Sequence, residues 1–259
     1  MSGPLRVERD GAIARVILTR AGAYNALDMD MAVALAENFV TLAADQDVRA
    51  IVLSGEGKAF CAGGDLKWVL AFRQGPGAAF HQLAARFHLA ITEIRRMPKP
   101  VIAAINGVAA GGGFSLALAC DFRVMAESAV LRQAYTSSGL SIDGGGTFSL
   151  PRLVGLARAL EIAAFDAPIS SAQALAWGLA TKVAKDGSAL EDAMTMAREL
   201  AKTSLHSFGL SKQLLNDSFG NSLETQLERE RKGLSGCGSH ADGQEGLKAF
   251  VEKRKPAFT

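Results

Sequence analysis

Apolar residues along the chain follow two spacings, one typical of strands and one typical of helices. "AIARVILTR" (12–20) and "VRAIVLSG" (48–55) are predicted strands, and residues 28–47 between them have an acidic start and apolar positions at helical spacing. Another apolar run, 99–109, predicts one buried strand that ends at a glycine run. Residues 112–127 then predict a helix followed by a strand. This order predicts an α/β fold with mainly parallel strands.

Beyond about residue 188 the pattern is helical throughout, and we expect no strand after about residue 184. Four segments carry it: 188–203, 208–219, 222–234 and 243–255. We therefore predict two regions. Residues 1–195 form the core, and residues 196–259 form a helical region that packs on the core or on another subunit.

Composition and charge exclude several classes of protein. The chain has 259 residues, 49% of them hydrophobic, and a net charge of +2 from 28 basic and 26 acidic residues. Such a balance gives no large field for a nucleic acid or a membrane surface. No uncharged run approaches the roughly 18 to 20 apolar residues of a membrane span, and the N-terminus lacks the features of a signal peptide. We expect a soluble protein of the cytoplasm.

The three cysteines also favour a reducing compartment. Cys61, Cys120 and Cys237 are widely spaced and form no CxxC or Cys/His cluster. Neither a disulfide framework nor a zinc site is therefore indicated.

Two glycine-rich segments, "GKAFCAGGDL" (57–66) and "INGVAAGGGF" (105–114), follow predicted strands. Glycine permits close approach of the backbone to a ligand, and a helix that begins there points unpaired N–H groups at it. One such segment is more often a simple tight turn, but two similar segments favour a site. Neither has the ending of a P-loop or the spacing of a dinucleotide fold. The pattern therefore favours an oxyanion hole, in which N–H groups bind a carbonyl oxygen as it becomes negative.

One charged side chain, Asp143, lies among apolar residues and three glycines in "LSIDGGGTF" (140–148). A solvated turn is one interpretation, since Asp followed by Gly is a common turn pair. Ile142 and Phe148 beside it favour the other, a catalytic acid or base in a close-packed, desolvated site.

Several motifs together resemble the enoyl-CoA hydratase/isomerase (crotonase) family. They are "AFCAGGDL", "KPVIAAINGVAAGGGFSLALACDFRV", "SLPRLVGLARALE", "ISSAQALAWGL" and "GLKAFVEKRKPAF", in order across nearly the whole chain. The resemblance implies a spiral of β-β-α repeats with a helical C-terminal trimerisation region, a homotrimer or hexamer, and an acyl-CoA thioester substrate. It implies an oxyanion hole from the N–H groups of Gly64 and Gly112. No metal or redox cofactor is implied, because coenzyme A is part of the substrate.

The sequence departs from the hydratases of this family at two positions. Hydratases carry one Glu two residues after the third glycine and another about twenty residues later, where this chain has Ser115 and Tyr135. Asp143 lies where several non-hydratase members place an Asp, and the stretch around it is most similar to the ring-epoxide isomerase branch of phenylacetate degradation. We therefore expect an enoyl-CoA isomerase in which Asp143 alone moves the proton, and favour it over a hydratase.

Other functions remain open. His88 with Asp143 is similar to the pair in 4-chlorobenzoyl-CoA dehalogenase, although that enzyme has Trp and Phe where this chain has Tyr135 and Gly64, so an aryl-CoA dehalogenase or thioesterase is an alternative. A hydratase that uses another residue and a non-catalytic CoA-binding protein are two more. A serine hydrolase is disfavoured because the Gly-x-Ser-x-Gly pattern around Ser115 is broken at Ala117.

The resemblance also implies where coenzyme A binds. Four residues would line the nucleotide and pantetheine path: Ala26, Ala62, Gly63 and Leu66. Phe250 and Lys253 would reach the adenine and the 3′-phosphate, either in the same chain or from a neighbouring subunit. A solvated helix face explains the C-terminal basic cluster equally well. Tyr135 is interpreted as a pocket wall that orients substrate or Asp143, His88 as a possible accessory residue, and Asp65 as a helix cap or structural anchor.

Overall fold

The computed structural model describes residues 3–258, and its strands form two sheets. The strands are β1 Leu5–Asp10, β2 Ile13–Leu18, β3 Ala50–Gly55, β4 Ala59–Cys61, β5 Val101–Ile105, β6 Val108–Ala110, β7 Phe122–Ala126, β8 Val130–Arg132, β9 Ile169–Ser170 and β10 Lys182–Ala184. The six-stranded sheet has the order β1-β2-β3-β5-β7-β10, and the four-stranded sheet has the order β4-β6-β8-β9.

Ten α-helices accompany the strands within the described part of the chain. They are α1 Met29–Ala44, α2 Leu66–Ala71, α3 Pro76–Arg96, α4 Gly112–Ala119, α5 Gly146–Phe165, α6 Ser171–Ala176, α7 Ala189–Leu200, α8 Leu205–Asp217, α9 Leu223–Ser239 and α10 Ala241–Val251. None of the described helices is long and apolar enough to cross a membrane. The predicted helical C-terminal region and the predicted end of the strands near residue 184 are confirmed.

A β-β-α repeat relates the two sheets, as the resemblance implies. The pairs β3 and β4, β5 and β6, and β7 and β8 each place their first strand in the larger sheet and their second in the smaller one. All pairings are parallel except β1 with β2 and β8 with β9. The predicted α/β fold with mainly parallel strands is confirmed.

The hydrophobic core is centred on the middle strands of the larger sheet, which helices cover. Every residue of β5 is fully buried, as are the first four of β3. Helix α7 packs against β3, β5 and β7, and α1 packs against α3. A strand buried on both faces needs no polar alternation, which explains the continuous apolar runs in these segments. The predicted division between residues 195 and 196 falls inside α7 and stays a prediction.

One predicted strand is in fact two. The apolar run 99–109 divides at Asn106 and Gly107 into β5 and β6, which belong to different sheets. The chain crosses between the sheets so close to β4 that a Cβ on Gly107 would lie 2.1 Å from the Lys58 carbonyl oxygen. The Asn106 side-chain amide also donates to the Gly57 carbonyl, at 3.0 Å. The prediction of a single strand was wrong because an apolar run carries no signal for a change of sheet.

Candidate active site

A cavity of about 410 Å³ lies between α3, the two glycine turns and the loop before α5. Its walls are mainly apolar, with a small number of polar groups, as is usual for small-molecule sites. The lining residues are Leu27, Gly64, Gly77, Phe80, His81, Leu83, Ala84, Phe87, Gly112, Tyr135, Leu140, Ser141 and Asp143. The structure therefore brings four sequence-predicted site residues to one cavity: Gly64, Gly112, Tyr135 and Asp143.

The backbone at Gly64 is oriented by a short parallel bridge with Leu27. Leu27 N–H donates to the Gly63 carbonyl at 2.7 Å, and Asp65 N–H donates to the Leu27 carbonyl at 2.8 Å. In a parallel pair the residue between two such bonds directs its own N–H to the opposite side. The Gly64 N–H therefore points away from the Leu27 backbone.

The second glycine turn leads into α4, whose first residue is Gly112. The N–H groups in the first turn of a helix have no acceptor within the helix, so the Gly112 N–H is available to a ligand. A Cβ on Gly112 would lie 2.7 Å from Leu27 Cδ1. A side chain here would therefore displace Leu27, which lines the same cavity as Gly112 and Gly64.

The two glycine turns pack backbone against backbone. Gly63 has φ +95°, and a Cβ on it would lie 2.8 Å from the Ala110 carbonyl oxygen; a Cβ on Gly113 would lie 2.0 Å from the Cys61 carbonyl oxygen. Contacts this close exclude any side chain at either position. The turns that carry Gly64 and Gly112 are thus held at a short, fixed separation.

Asp65 anchors the first glycine turn, in agreement with its predicted role. Its carboxylate caps α2 by accepting from the Trp68 N–H at 3.2 Å, and it pairs with Arg20 at 2.9 Å. Arg20 also pairs with Asp28 at 2.9 Å. Desolvation raises the pKa of Asp65, but the hydrogen bonds from Arg20 and the Trp68 N–H outweigh it and hold the pKa below its usual value.

The loop that carries Asp143 is packed through its glycines. Gly144 and Gly145 have φ +62° and +74°, and a Cβ on Gly144 would lie 2.5 Å from Phe87 Cε1. The hydroxyl of Ser115, which is buried, donates to the Asp143 carbonyl at 2.6 Å. Helices α3 and α4 therefore fix the position of this loop from two sides.

His88 and Asp143 are in direct contact: His88 Nε2 lies 2.7 Å from Asp143 Oδ1. Because an ionised carboxylate only accepts hydrogen bonds, the imidazole nitrogen is the donor. The two side chains are 50% and 42% exposed in the single chain. The sequence predicts a desolvated Asp143 carboxylate, whereas in the structure this side chain is partly exposed, on the side where it contacts His88.

Tyr135 forms part of the cavity wall, and its hydroxyl lies 3.3 Å from Ser115 Oγ. Since the single hydroxyl proton of Ser115 is donated to the Asp143 carbonyl, Tyr135 is the donor in this second bond. Burial raises the pKa of the Tyr135 phenol. Ser115 and Tyr135, which occupy the positions of the two hydratase Glu residues, therefore form a neutral hydrogen-bonded pair.

The residues expected to bind coenzyme A divide into two groups. Ala26 and Gly63 are buried next to the bridge at Leu27, and Ala62 N–H donates to the Tyr24 carbonyl at 3.0 Å. Leu66, at the start of α2, is 49% exposed.

The second group lies at the C-terminal end. Phe250 is 85% exposed in α10, and Lys253 follows that helix with φ +55°. In the described chain neither borders the cavity. The roles of both groups in binding coenzyme A stay predictions.

Sequence reasoning missed several residues of the site. Leu27 contributes both a wall and the bridge that orients Gly64, and Phe80 and Phe87 form the apolar wall on α3. The apolar stripe of α3 was visible in the sequence, but stripes of this kind usually face a core. Arg20 gave no signal, because Asp65, the residue that it anchors, lies 45 residues further along the chain.

Comparisons with known proteins agree with this geometry. The family model described as enoyl-CoA hydratase/isomerase matches residues 8–259. The chain is 38% identical over 243 residues to 1,2-epoxyphenylacetyl-CoA isomerase of Escherichia coli K12, and the matched region covers 93% of each protein. It is 32% identical over 253 residues to 4-chlorobenzoyl coenzyme A dehalogenase-2 of an Arthrobacter species, covering 96% of this chain and 91% of the relative.

Solved structures are similar over nearly the full length. The crystal structure of an enoyl-CoA hydratase from Polaromonas sp. JS666 matches with a TM-score of 0.94 and 38% identity, over 98% of this chain and 99% of that one. Fold, motifs and relatives lead to one conclusion. The chain belongs to the enoyl-CoA hydratase/isomerase family.

Proposed function

We propose that the chain is an enoyl-CoA isomerase that uses Asp143 as its acid and base. The observation that carries the proposal is the cavity wall, in which Asp143 is the single carboxylate among the described residues and faces a site that Gly64 and Gly112 also line. The similarity to 1,2-epoxyphenylacetyl-CoA isomerase supports it. Coenzyme A enters as part of the substrate.

The two glycine N–H groups act on the thioester. The carbonyl oxygen accepts from Gly64 and Gly112, so the negative charge that develops on it is stabilised. Removal of one such donor typically costs about 3 kcal/mol of barrier lowering. The protons on carbons next to the carbonyl become more acidic as a result.

Asp143 then transfers one proton between two carbons. Its carboxylate removes a proton from Cα of a 3-enoyl thioester, and the electron pair moves into the carbonyl to give a dienolate. The same carboxyl group returns the proton at Cγ, and the double bond forms between Cα and Cβ. One carboxylate is sufficient because no atom enters or leaves.

Hydration has less support. It needs a group that activates water, and the two positions that carry Glu in hydratases hold a hydroxyl pair in which Ser115 donates to the Asp143 carbonyl and Tyr135 has a raised pKa. Neither hydroxyl is a base near neutral pH.

A substrate panel in deuterium oxide tests the proposal. We expect 3-enoyl-CoA to give 2-enoyl-CoA, with deuterium entering at Cα or Cγ and no 3-hydroxyacyl-CoA. Formation of the 3-hydroxyacyl product from 2-enoyl-CoA at a comparable rate contradicts it. An aryl-acetyl-CoA thioester in the same panel tests proton removal next to a ring.

A second candidate function is aryl-CoA chemistry of the dehalogenase type. The 2.7 Å contact between His88 and Asp143 favours it, together with the Arthrobacter relative. In that reaction the Asp143 carboxylate attacks the ring carbon and chloride leaves, and water then hydrolyses the resulting aryl ester to free Asp143 and give the ring hydroxyl. Release of chloride from 4-chlorobenzoyl-CoA would support this candidate over the isomerase, and an absence of chloride at saturating substrate would exclude it.

We also propose that the chain is a homotrimer or a hexamer. The support is the apolar surface of the C-terminal helices, where four leucines are more than half exposed in the single chain: Leu223, Leu227, Leu234 and Leu247. Sedimentation velocity measures the mass directly, and a monomer at micromolar concentration contradicts the proposal.

A further inference from the structure

We call the active-site cavity lined by Gly64, Gly112 and Asp143 the acyl cavity. A separate groove of about 560 Å³ lies further along α3. We call it the arginine groove. Its walls come from α3, from the start of α5 and from the end of α8. The residues that define it are Thr92, Arg95, Arg96, Gly145, Phe148 and Asn216.

The arginine groove and the acyl cavity are lined by successive parts of the same two segments, α3 and the loop before α5. His88, Thr92 and Arg95 are spaced four and seven residues apart on α3, so they lie on one face of the helix. Arg95 follows His88 by about 10 Å along the helix axis. On the opposite wall, Asp143 borders the acyl cavity and Gly145, two residues later, borders the arginine groove. A chain that leaves the cavity past His88 and Asp143 therefore meets Arg95.

Arg95 and Arg96 line the arginine groove, and Arg152 lies next to it, against the Phe148 ring. Within residues 3–258, no carboxylate lies within 4.0 Å of Arg95, Arg96 or Arg152 to form an ion pair. Arg152 stacks on the Phe148 ring, 3.4 Å from its centroid, and Arg95 lies 5.0 Å from the same centroid.

The two nearby acids are already paired with other cations. Asp217, which also borders the groove, pairs with Arg229 at 3.3 Å, and the partly buried Asp121 pairs with Lys212 at 2.8 Å. The groove therefore carries positive charge that the described chain does not neutralise.

Arg95 is the guanidinium best placed to bind an anion. It is half-buried, and its Nη2 is oriented by the Asn216 side-chain oxygen at 2.5 Å. Burial lowers the pKa of Arg95, and the neighbouring Arg152 lowers it further, although Asp121 acts in the opposite direction. A bound carboxylate would offset the repulsion from Arg152 and part of the cost of burial, because a guanidinium can donate two parallel, charge-assisted hydrogen bonds to it.

We propose that the arginine groove binds a carboxylate at the distal end of the acyl group, which makes the substrates ω-carboxyacyl-CoA thioesters. This inference rests on the proposed function only in that the thioester carbonyl lies at Gly64 and Gly112. It adds a substrate class that neither the cavity nor the relatives define.

Calorimetry with pairs of saturated acyl-CoA thioesters tests the inference. In each pair one member ends in a carboxylate and the other in a methyl group, and the chain length is varied. We expect the wild-type protein to bind the carboxylate member about tenfold more tightly at the matching length, the lower end for a charge-assisted hydrogen bond. Arg95→Gln removes this preference, and Arg95→Lys keeps part of it.

Arg86→Gln is the matched control. Arg86 is an exposed residue of α3 that precedes His88 by two positions and so faces the opposite side of the helix. We expect this variant to keep the full preference. Equal weakening of both members by Arg95→Gln, or no preference in the wild type at any length, overturns the inference.

Three further outcomes complete the test. They distinguish a carboxylate on the substrate from one on a neighbouring subunit, and the binding proposal from the proposed reaction. If Arg95→Gln lowers the oligomeric mass and leaves the preference unchanged, the groove binds a carboxylate of another subunit, and the inference is wrong. Saturated thioesters cannot isomerise, so a carboxylate preference without isomerisation of 3-enoyl-CoA contradicts the proposed reaction alone. An absence of binding by both members contradicts both proposals.

Discussion

Ser115 Oγ donates a 2.6 Å hydrogen bond to the backbone carbonyl of Asp143, so α4 holds the loop that carries the carboxylate. The same helix begins at Gly112, whose N–H borders the cavity. One short helix therefore sets the distance between the proposed oxyanion donor and the proposed base. Ser115 is a positioning residue in this arrangement.

Replacement of Ser115 by Ala should lower the free energy of unfolding by about 1–2 kcal/mol, because the Asp143 carbonyl and the Tyr135 hydroxyl both lose a buried partner. Urea unfolding measures the change, and Ser211→Ala, at an exposed position of α8, is the control. In the wild-type protein, Ser115 should stay unlabelled by a fluorophosphonate probe. Labelling at Ser115 would support the serine hydrolase alternative instead.

Replacement of Asp143 by Asn should reduce kcat for 3-enoyl-CoA by about 10²–10⁴-fold, the usual contribution of a general base. The amide oxygen can still accept from His88, so binding of the acyl-CoA should change little. Steady-state kinetics and calorimetry measure the two quantities. Asp47→Asn, at an exposed position, is the control, and full turnover by the Asp143 variant would exclude the assigned role.

Replacement of Gly144 by Ala should destabilise the fold by about 3 kcal/mol. The new Cβ would lie 2.5 Å from Phe87 Cε1, which adds overpacking to the strain of φ +62°. Gly139→Ala isolates the strain, since Gly139 has φ +71° but no atom within 4 Å of the added Cβ. We expect the control to cost about 1 kcal/mol, and equal costs would mean that the contact with Phe87 relaxes.

Replacement of Asp65 by Asn should reduce stability in a pH-dependent way. The pKa of Asp65 is lowered in the folded chain, so ionisation stabilises the fold fully above the unfolded pKa of about 3.9 and less as the pH falls through the folded pKa. Asn still caps a helix well, so the expected loss at neutral pH, about 1–2 kcal/mol, comes from the ion pair with Arg20.

Urea unfolding across pH 2–7 should therefore show the wild-type advantage over Asp65→Asn shrinking at acid pH. Asp30→Asn is the control, because Asp30 is exposed in the first turn of α1. A difference that does not vary with pH would contradict the stabilising effect assigned to the ion pair.

Thiol reagents should distinguish the three cysteines. Burial raises the pKa of both Cys61 and Cys120 to about 12, whereas Cys237 is partly exposed on α9. Since the thiolate is the reactive form, we expect rapid labelling of Cys237 alone in the native protein and of all three in urea. Mass spectrometry identifies the sites, and labelling of native Cys61 at the rate of Cys237 would be inconsistent with the packing of Gly113 against it.

Much of the site was predictable because glycine has local physical requirements. The segments around Gly64 and Gly112 were recognised from runs of glycine after apolar strands, and Asp143 from its place among apolar residues and glycines; the structure explains each glycine run by positive φ or by close contacts of an added Cβ. The α/β order was predictable for a similar reason, since helical and strand periodicities are local.

The remaining features depend on residues that are distant along the chain. Apolar runs do not reveal which sheet a strand joins, so the division between β5 and β6 was missed although "NG" at 106–107 is a common turn pair. The Ser115 contact to Asp143 and the pairing of Arg20 with Asp65 depend on tertiary packing. No spacing rule predicts such contacts.

The short bridge between Leu27 and Gly64 also has a consequence for cooperativity. It joins the segment before α1 to the segment before α2, and each must already be placed by the sheets for the Asp65 amide to reach its acceptor. Local fraying cannot open this bond without separating the two segments. Hydrogen exchange at the Asp65 amide should therefore occur only when the two segments separate, and the same opening should displace Gly64 from the cavity.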